Sequence, residues 1–269
     1  MATPVCLIDA FVTPEPFSGN PAGVCLLEEW MDEKWMQGLA MEMNQAETAF
    51  LVPQGARYGL RWFTPTVEVD LCGHATLASA HYLWESGEVP RDKTIEFETR
   101  SGILTATSST GAGGPFQLTL DFPVDRPVAT TASEVVAALG AQAVWQGAGQ
   151  LDWFVEVPSQ TDLVALQPDL AALAKTGLRG VVVTAKADDP AIDFVSRFFA
   201  PQSGIDEDPV TGSAHCALTP YWSQRLGRTE LQAMQLSERK GLLACRLAGD
   251  RVTLTGQART TLVGTLAGH

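Results

Sequence analysis

Glu47 opens the segment ETAFLVP, in which Ala49 and Leu51 alternate with Phe50 and Val52. A strand apolar on both faces is expected to be largely buried. A carboxylate at its mouth either ends the strand in solvent or stands beside a cleft. In the second case partial burial would raise its pKa from about 4.3 toward neutrality, which suits a group that both takes and returns a proton. His74 follows Gly73 in VEVDLCGHAT, and Asp208 precedes Gly212 in IDEDPVTGSAH. In both loops the glycine lets backbone approach a ligand, and the first N–H groups of the helix that follows attract anions. Plainer roles stand beside these. His74 could cap the helix or fill the core, Asp208 could be a solvated acid favoured by the helix dipole, and Ser213 could be an N-cap. No Gly-x-Ser-x-Gly elbow surrounds Ser213, which argues against a nucleophile.

Metal chemistry finds little support in the spacing. His74 and His81 are seven apart and could share one helix face, with Cys72 close by, but no third ligand has usual spacing. The expectation is no metal. Cys6, Cys25, Cys72, Cys216 and Cys245 are odd in number and contain no Cys-x-x-Cys pair. Gly111, Gly113 and Gly114 follow SST and precede Pro115; they read as a hairpin turn, not a dinucleotide or P-loop fingerprint.

The elements that must position these residues come in two copies. RWFTP (Arg61 to Pro65) returns as RFFAP (Arg197 to Pro201), at an offset of 136. Downstream, Gly73, Ala75, Tyr82, Arg100 and Gly102 match Gly212, Ala214, Tyr221, Arg239 and Gly241, at an offset of 139. A three-residue insertion in the second loop accounts for the change. Each copy runs from an apolar strand through a loop into a Gly-opened helix, then a strand and a Gly-led hairpin. Gly73 to Trp84 carries no charged side chain apart from two His, so that helix should be buried on most sides. The second, GSAHCALTPYWSQRLG, is similar through Trp222, but Pro220 should kink or end it. Glu29 to Asn44 reads as a surface helix with Trp30, Met31, Trp35, Leu39 and Met43 as its apolar face. FPVDRPVATTA, Phe122 to Ala132, marks the boundary, giving halves 1–122 and 123–269. The fold class expected is α+β, each half a mostly antiparallel, barrel-like sheet around a central helix. Duplication would place the two helix starts about a pseudo-twofold axis, facing one cleft.

The chain has 269 residues, 45% hydrophobic and 18% charged, with a formal net charge of −13. That balance opposes a sequence-independent nucleic-acid binder or an anionic membrane surface as partner. A small acidic substrate stays compatible, because backbone amides can bind one anion locally. The N-terminal MATPVCLIDAFV lacks a basic n-region and is interrupted by Asp9, so it does not read as a secretory signal. A cytoplasmic protein with reduced thiols is expected.

GNPAGVCLL (Gly19 to Leu27), MNQAETAFLVP (Met43 to Pro53), LRWFTPTVEVDLCGHATLASA (Leu60 to Ala80) and RFFAPQSGIDEDPVTGSAH (Arg197 to His215) together resemble the phenazine-biosynthesis PhzF-like isomerases. Roughly Ala129 to Lys186 carries much less of the likeness. The resemblance implies a diaminopimelate-epimerase-like fold, a homodimer, and chemistry without a cofactor. In the phenazine enzyme a Glu moves a proton between carbons of a dihydro-hydroxyanthranilate ring. The matching residue is Glu47. Residues lining the family's site match His74, Asp208 and Ser213, and the backbone at Gly73 and Gly212 would hold a substrate carboxylate. Asn20 of GNPAG matches a motif near the site. Two departures stand out. Ala46 replaces the Ser that usually precedes the Glu, which puts the phenazine substrate in doubt, and Pro220 is unusual in the second central helix.

The leading expectation is therefore an isomerase that shifts a proton at carbon on a small, carboxylate-bearing, cyclic amino or hydroxy acid. One alternative is a two-thiol racemase on the same fold. Cys72 would supply one thiol, but its repeat partner is Thr211 or Asp208 depending on the offset, and Cys216 lies inside the helix. Another is a non-catalytic small-molecule binder or interaction protein that kept the fold.

Overall fold

The computed structural model describes residues 3–110 and 116–267. The hairpin turn expected at Gly111, Gly113 and Gly114 lies outside them. Two compact units emerge: Met1–Asp121 with Thr255–His269, and Phe122–Leu254.

The first unit contains β1 (Pro4–Ala10), β2 (Asn20–Leu26), α1 (Glu33–Met43), β3 (Glu47–Gln54), β4 (Arg57–Phe63), β5 (Glu68–Val69), α2 (Gly73–Glu85), β6 (Ile95–Thr99), β7 (Gly102–Thr110) and β8 (Phe116–Pro123). The second contains β9 (Val128–Ala129), α3 (Ser133–Leu139), β10 (Trp145–Ala148), β11 (Asp152–Glu156), α4 (Gln160–Val164), α5 (Leu170–Leu173), β12 (Gly180–Lys186), β13 (Phe194–Phe199), α6 (Gly212–Leu226), β14 (Glu230–Gln235), β15 (Gly241–Ala248) and β16 (Arg251–Gly256). The last strand, β17 (Ala258–Thr265), pairs antiparallel with β1 along its whole length. The last residues therefore belong to the first unit, a correction to the division at 123–269. Nothing local in the sequence marks this, because the pairing joins the two ends of the chain.

Pairing in the two units follows one scheme. In the first, β1 is antiparallel to β2, β2 parallel to β3, β3 antiparallel to β4, β4 parallel to β6, and β6 antiparallel to β7. In the second, the same order of senses runs through β10, β11, β12, β13, β14 and β15. Helix α2 falls between β4 and β6 as α6 falls between β13 and β14. Each parallel step needs a crossover, which α2 and α6 supply for β4 to β6 and β13 to β14, α1 for β2 to β3, and α4 with α5 for β11 to β12. The duplication read from a few identities is thus a duplication of topology.

Helices α2 and α6 are the buried elements their composition demanded. His74 through His81 are buried without a break in α2, as are Ala214 through Pro220 in α6. Pro220 does not end α6, which continues to Leu226. The carbonyl that loses its helical donor is that of Cys216, four residues earlier. It accepts instead from the backbone N–H of Asp125, at 3.3 Å.

Helix α1 starts later than expected. Asp32 caps it by accepting from the N–H of Trp35, and its buried face is Met36, Leu39 and Ala40. Trp30 and Met31 precede the helix. Trp30, Trp35 and Met43 pack at the margin of a cluster that includes Phe50 and Phe63, whose rings meet edge-to-face at 5.5 Å. That cluster backs β3 and holds the strand that carries Glu47.

Candidate active site

Strands β2 and β3 run parallel, with Ala22 opposite Glu47 and Gly23 opposite Thr48. Their close approach explains Gly23 of GNPAG, while Gly19 is required by its own backbone conformation. A Cβ at Gly23 would lie 2.7 Å from Thr48 Oγ1, and Gly19 has φ +81°. Asn20 begins β2 and is fully buried. Its Nδ2 stands 3.1 Å from Nδ1 of His74, the second residue of α2. With Asn20 donating to Nδ1, the ring proton falls on Nε2. That atom lies 3.3 Å from Oε2 of Glu47, whose side chain is 12% exposed.

Burial holds the His74 imidazole neutral, its pKa lowered from 6.5 to about 3. The contact with Glu47 is therefore between a neutral ring and a buried carboxylate oxygen, with a geometry that falls short of a hydrogen bond. It sets His74 beside Glu47 without placing a cation against it. Cys72 Sγ completes the group, 3.5 Å from Nδ1 and 4.0 Å from Nε2 of His74.

Cys72 is the N-cap residue of α2 and Thr211 that of α6, and neither side chain caps its helix. First-turn N–H groups at Gly73 and Gly212 are thus not taken by a side-chain cap, the arrangement that suits an anion. Ser213 is the second residue of α6 and not its N-cap, which removes the capping role left open from sequence. Its Oγ accepts from Arg179 Nη2 at 2.8 Å. Arg179 also grips the buried Asp152 through Nε at 3.0 Å and Nη2 at 2.5 Å, with its guanidinium 5.4 Å from the Phe198 ring centroid. Asp208 is buried and accepts from the hydroxyl of Thr211. Gln235 fastens this loop by donating to the carbonyl of Asp208 at 2.7 Å and accepting from the N–H of Thr211 at 2.8 Å. One turn into α6, His215 is fully buried with its pKa lowered to about 4 by desolvation.

Within the first unit, then, Asn20, Glu47, Gly73 and His74 come together; within the second, Asp208, Gly212 and Ser213 share the start of α6. Arg179, Asp152 and Gln235 were not anticipated. No motif surrounds them, and they reach the helix start only through tertiary pairing.

A second pair of contacts repeats with the fold. Arg61 holds Glu68 through both carboxylate oxygens, at 2.7 and 2.6 Å, and Arg197 holds Glu207 in the same way at 2.7 and 2.8 Å. Arg61 lies over Phe63 and Arg197 over Phe199. The arginines are 136 apart and the glutamates 139 apart, so the insertion falls between Pro201 and Glu207. The 3-10 turn Pro201–Ser203 occupies that stretch. Each clamp pins the loop that delivers a helix start. The sequence held a signal for it, since both acids obey the downstream offset.

The chain matches the family described as phenazine biosynthesis-like protein over residues 8–264. The chain belongs to this family. An uncharacterized isomerase of Halalkalibacterium halodurans is 47% identical over 264 residues, covering 97% of each chain. The crystal structure of an Enterococcus faecalis phenazine biosynthesis protein of the PhzF family superposes with a TM-score of 0.90 at 41% identity, covering 99% of this chain and 100% of that one. A probable proline racemase from Agrobacterium radiobacter, 12% identical with a TM-score of 0.67 over 98% and 93% of the two chains, shares the fold alone. These likenesses establish the α+β, racemase- and epimerase-like fold and support an isomerase-type enzyme of the phenazine biosynthesis-like family. Among the described residues no helix is long and apolar enough to cross a membrane.

Proposed function

We propose that the chain is a cofactor-independent isomerase that moves a proton between carbons of a small, carboxylate-bearing, cyclic substrate, with Glu47 as the group that takes and returns it. The observation that carries this reading is the chain of contacts from Asn20 through neutral His74 to Glu47. A carboxylate serves both steps only if its lone pair is aimed and its environment partly excludes water. On this reading His74, 3.3 Å away, supplies the aim when the contact tightens around substrate, and the apolar run from Ala49 to Val52 supplies the support. In the forward step the C–H proton passes to Glu47 while the electron pair spreads into the substrate's π system. Glu47 then returns the proton at a second carbon. Uncapped amides at the start of α2 suit the substrate's carboxylate.

The assignment of Asp208, Ser213 and Gly212 to the same substrate rests on the sequence duplication and the family resemblance. On this reading Arg179, its charge balanced by Asp152, orders Ser213 at the start of α6. A two-thiol racemase is less well supported. The N-cap that corresponds to Cys72 is Thr211, which settles on a hydroxyl where that mechanism needs a thiolate.

The test is proton exchange at carbon. Cyclic amino- and hydroxycarboxylates are incubated with enzyme in heavy water, and carbon-bound deuterium is followed by NMR. Incorporation that stops with Glu47→Gln supports the reading; equal incorporation by both proteins removes it.

A further inference from the structure

We propose that Glu47, Cys72 and His74 form a reversible binding site for a single thiophilic divalent cation, Zn2+, and that a bound ion takes Glu47 out of proton transfer. The second clause rests on the isomerase reading; the first does not.

One donor atom from each of the three residues lies within 4.8 Å of the others. Zinc binds imidazole nitrogen at 2.0–2.1 Å, carboxylate oxygen at 2.0–2.2 Å and thiolate at about 2.3 Å, so the edges of a tetrahedral site run roughly 3.3–3.6 Å. The His74 Nε2 to Glu47 Oε2 edge is already 3.3 Å. The Cys72 Sγ to Nε2 edge is 4.0 Å, with the sulfur nearer Nδ1 at 3.5 Å. The sulfur thus lies beside the ring and off the Nε2 lone pair, so ion binding requires Cys72 to turn about its Cα–Cβ bond and carry Sγ round to the Glu47 side. Three protein donors leave a fourth position for water, as in zinc sites that are not sealed.

The donor set selects the ion. One carboxylate oxygen beside a thiol and an imidazole is a poor cage for Mg2+ or Ca2+, which take mostly oxygen ligands. A thiolate and a carboxylate balance two positive charges, so the occupied site is neutral overall. That matters where Cys72 and His74 are both buried. Binding releases the thiol proton of Cys72 and involves no redox step.

Asn20 suits this second state as well as the first. Donating through Nδ2 it stabilises the ring with its proton on Nε2, on the side where Glu47 lies 3.3 Å away. A half-turn of the amide presents Oδ1 to Nδ1–H and frees the Nε2 lone pair for a metal, the usual outer support of a metal-bound histidine. The three ligands come from β3, the residue before α2, and α2 itself, so only the folded chain assembles them.

Chelator-treated protein is titrated with ZnCl2 by calorimetry and, in parallel, with CoCl2 by absorbance. The expected result is one ion per chain, with a sulfur-to-cobalt charge-transfer band. Cys72→Ser should abolish the band and weaken Zn2+ by at least about 100-fold, and Asn20→Ala should weaken it roughly 10–100-fold. Glu47→Gln should keep the band but lose affinity. Cys245→Ser, a buried thiol elsewhere, should change neither. Absence of stoichiometric binding, or a band and affinity that survive Cys72→Ser, overturns the site. Zn2+ bound as described, without loss of carbon-bound exchange, overturns the inhibitory clause alone.

Discussion

Nε2 of His74 lies 3.3 Å from Oε2 of Glu47, and burial keeps the imidazole neutral. A neutral ring adds no charge to be lost when Glu47 is protonated, and the contact falls short of hydrogen-bond geometry in the free protein. On the proposed mechanism the contact tightens into a hydrogen bond once substrate is bound, and a hydrogen bond to a charged group contributes about 1.5–3 kcal/mol. His74→Ala is therefore expected to lower kcat/KM by about 10–100-fold. With its donor gone, the carboxylate holds its proton more tightly, so the acid limb of the pH–rate profile should move to higher pH. An unmoved limb would show that His74 does not act through Glu47.

Acid should destabilise the fold. His74 and His215 have pKa values lowered to about 3 and about 4, against 6.5 when unfolded. Between those values the unfolded rings bind protons that the folded rings do not. Stability is thus lost as pH falls below 6.5, and the loss levels off only below the folded values. At pH 5 each contributes a loss on the order of 2 kcal/mol. Burial lowers the pKa of His81 as well, so urea unfolding at pH 7 and pH 5 measures the total, and His215→Asn should remove a share on the order of 2 kcal/mol.

Pro220→Ala should be nearly neutral, within about 1 kcal/mol, although a proline inside a helix ordinarily costs about 3 kcal/mol or more. The carbonyl it leaves free already accepts from the Asp125 N–H, so restoring a helical donor satisfies nothing that was unsatisfied. A gain of several kcal/mol in urea unfolding would contradict this account of the helix.

The paired clamps make a local prediction. Glu68 is nearly buried and is held by Arg61 and by Arg100, each at 2.6 Å. Arg61→Met should cost about 1–3 kcal/mol, less than a fully buried pair because Arg100 remains. The loop from 64 to 72 should exchange its amide hydrogens faster, while the core of β3 stays protected. Uniform acceleration across the first unit would mean the clamp is a global and not a local support.

Much of this was legible because it was local or repeated. The apolar composition of Gly73 to Trp84 announced a buried helix, and the offsets of 136 and 139 announced a duplication that the strand pairings now express as topology. Where a single position set the outcome, sequence misled. Pro220 argued for a helix end, and only the neighbouring Asp125 amide explains its tolerance. Glu29 to Trp30 fit the helical period, but the Asp32 cap starts α1 later. Arg179 and Asp152 stand in the stretch that carries much less of the family likeness, and their link to Ser213 depends on β11 and β12 being side by side. Strand β17 carries no mark of its return to β1.

The central claim is that Glu47 carries the proton. The most direct measurement is carbon-bound deuterium in a turned-over cyclic carboxylate, compared between wild type and Glu47→Gln, with folding of the variant verified by its urea midpoint. The expected result is exchange at two ring carbons with wild type and a loss of at least about a thousandfold with the variant, the scale of losing a general base together with its alignment. Exchange at an undiminished rate in a folded Glu47→Gln protein would contradict it.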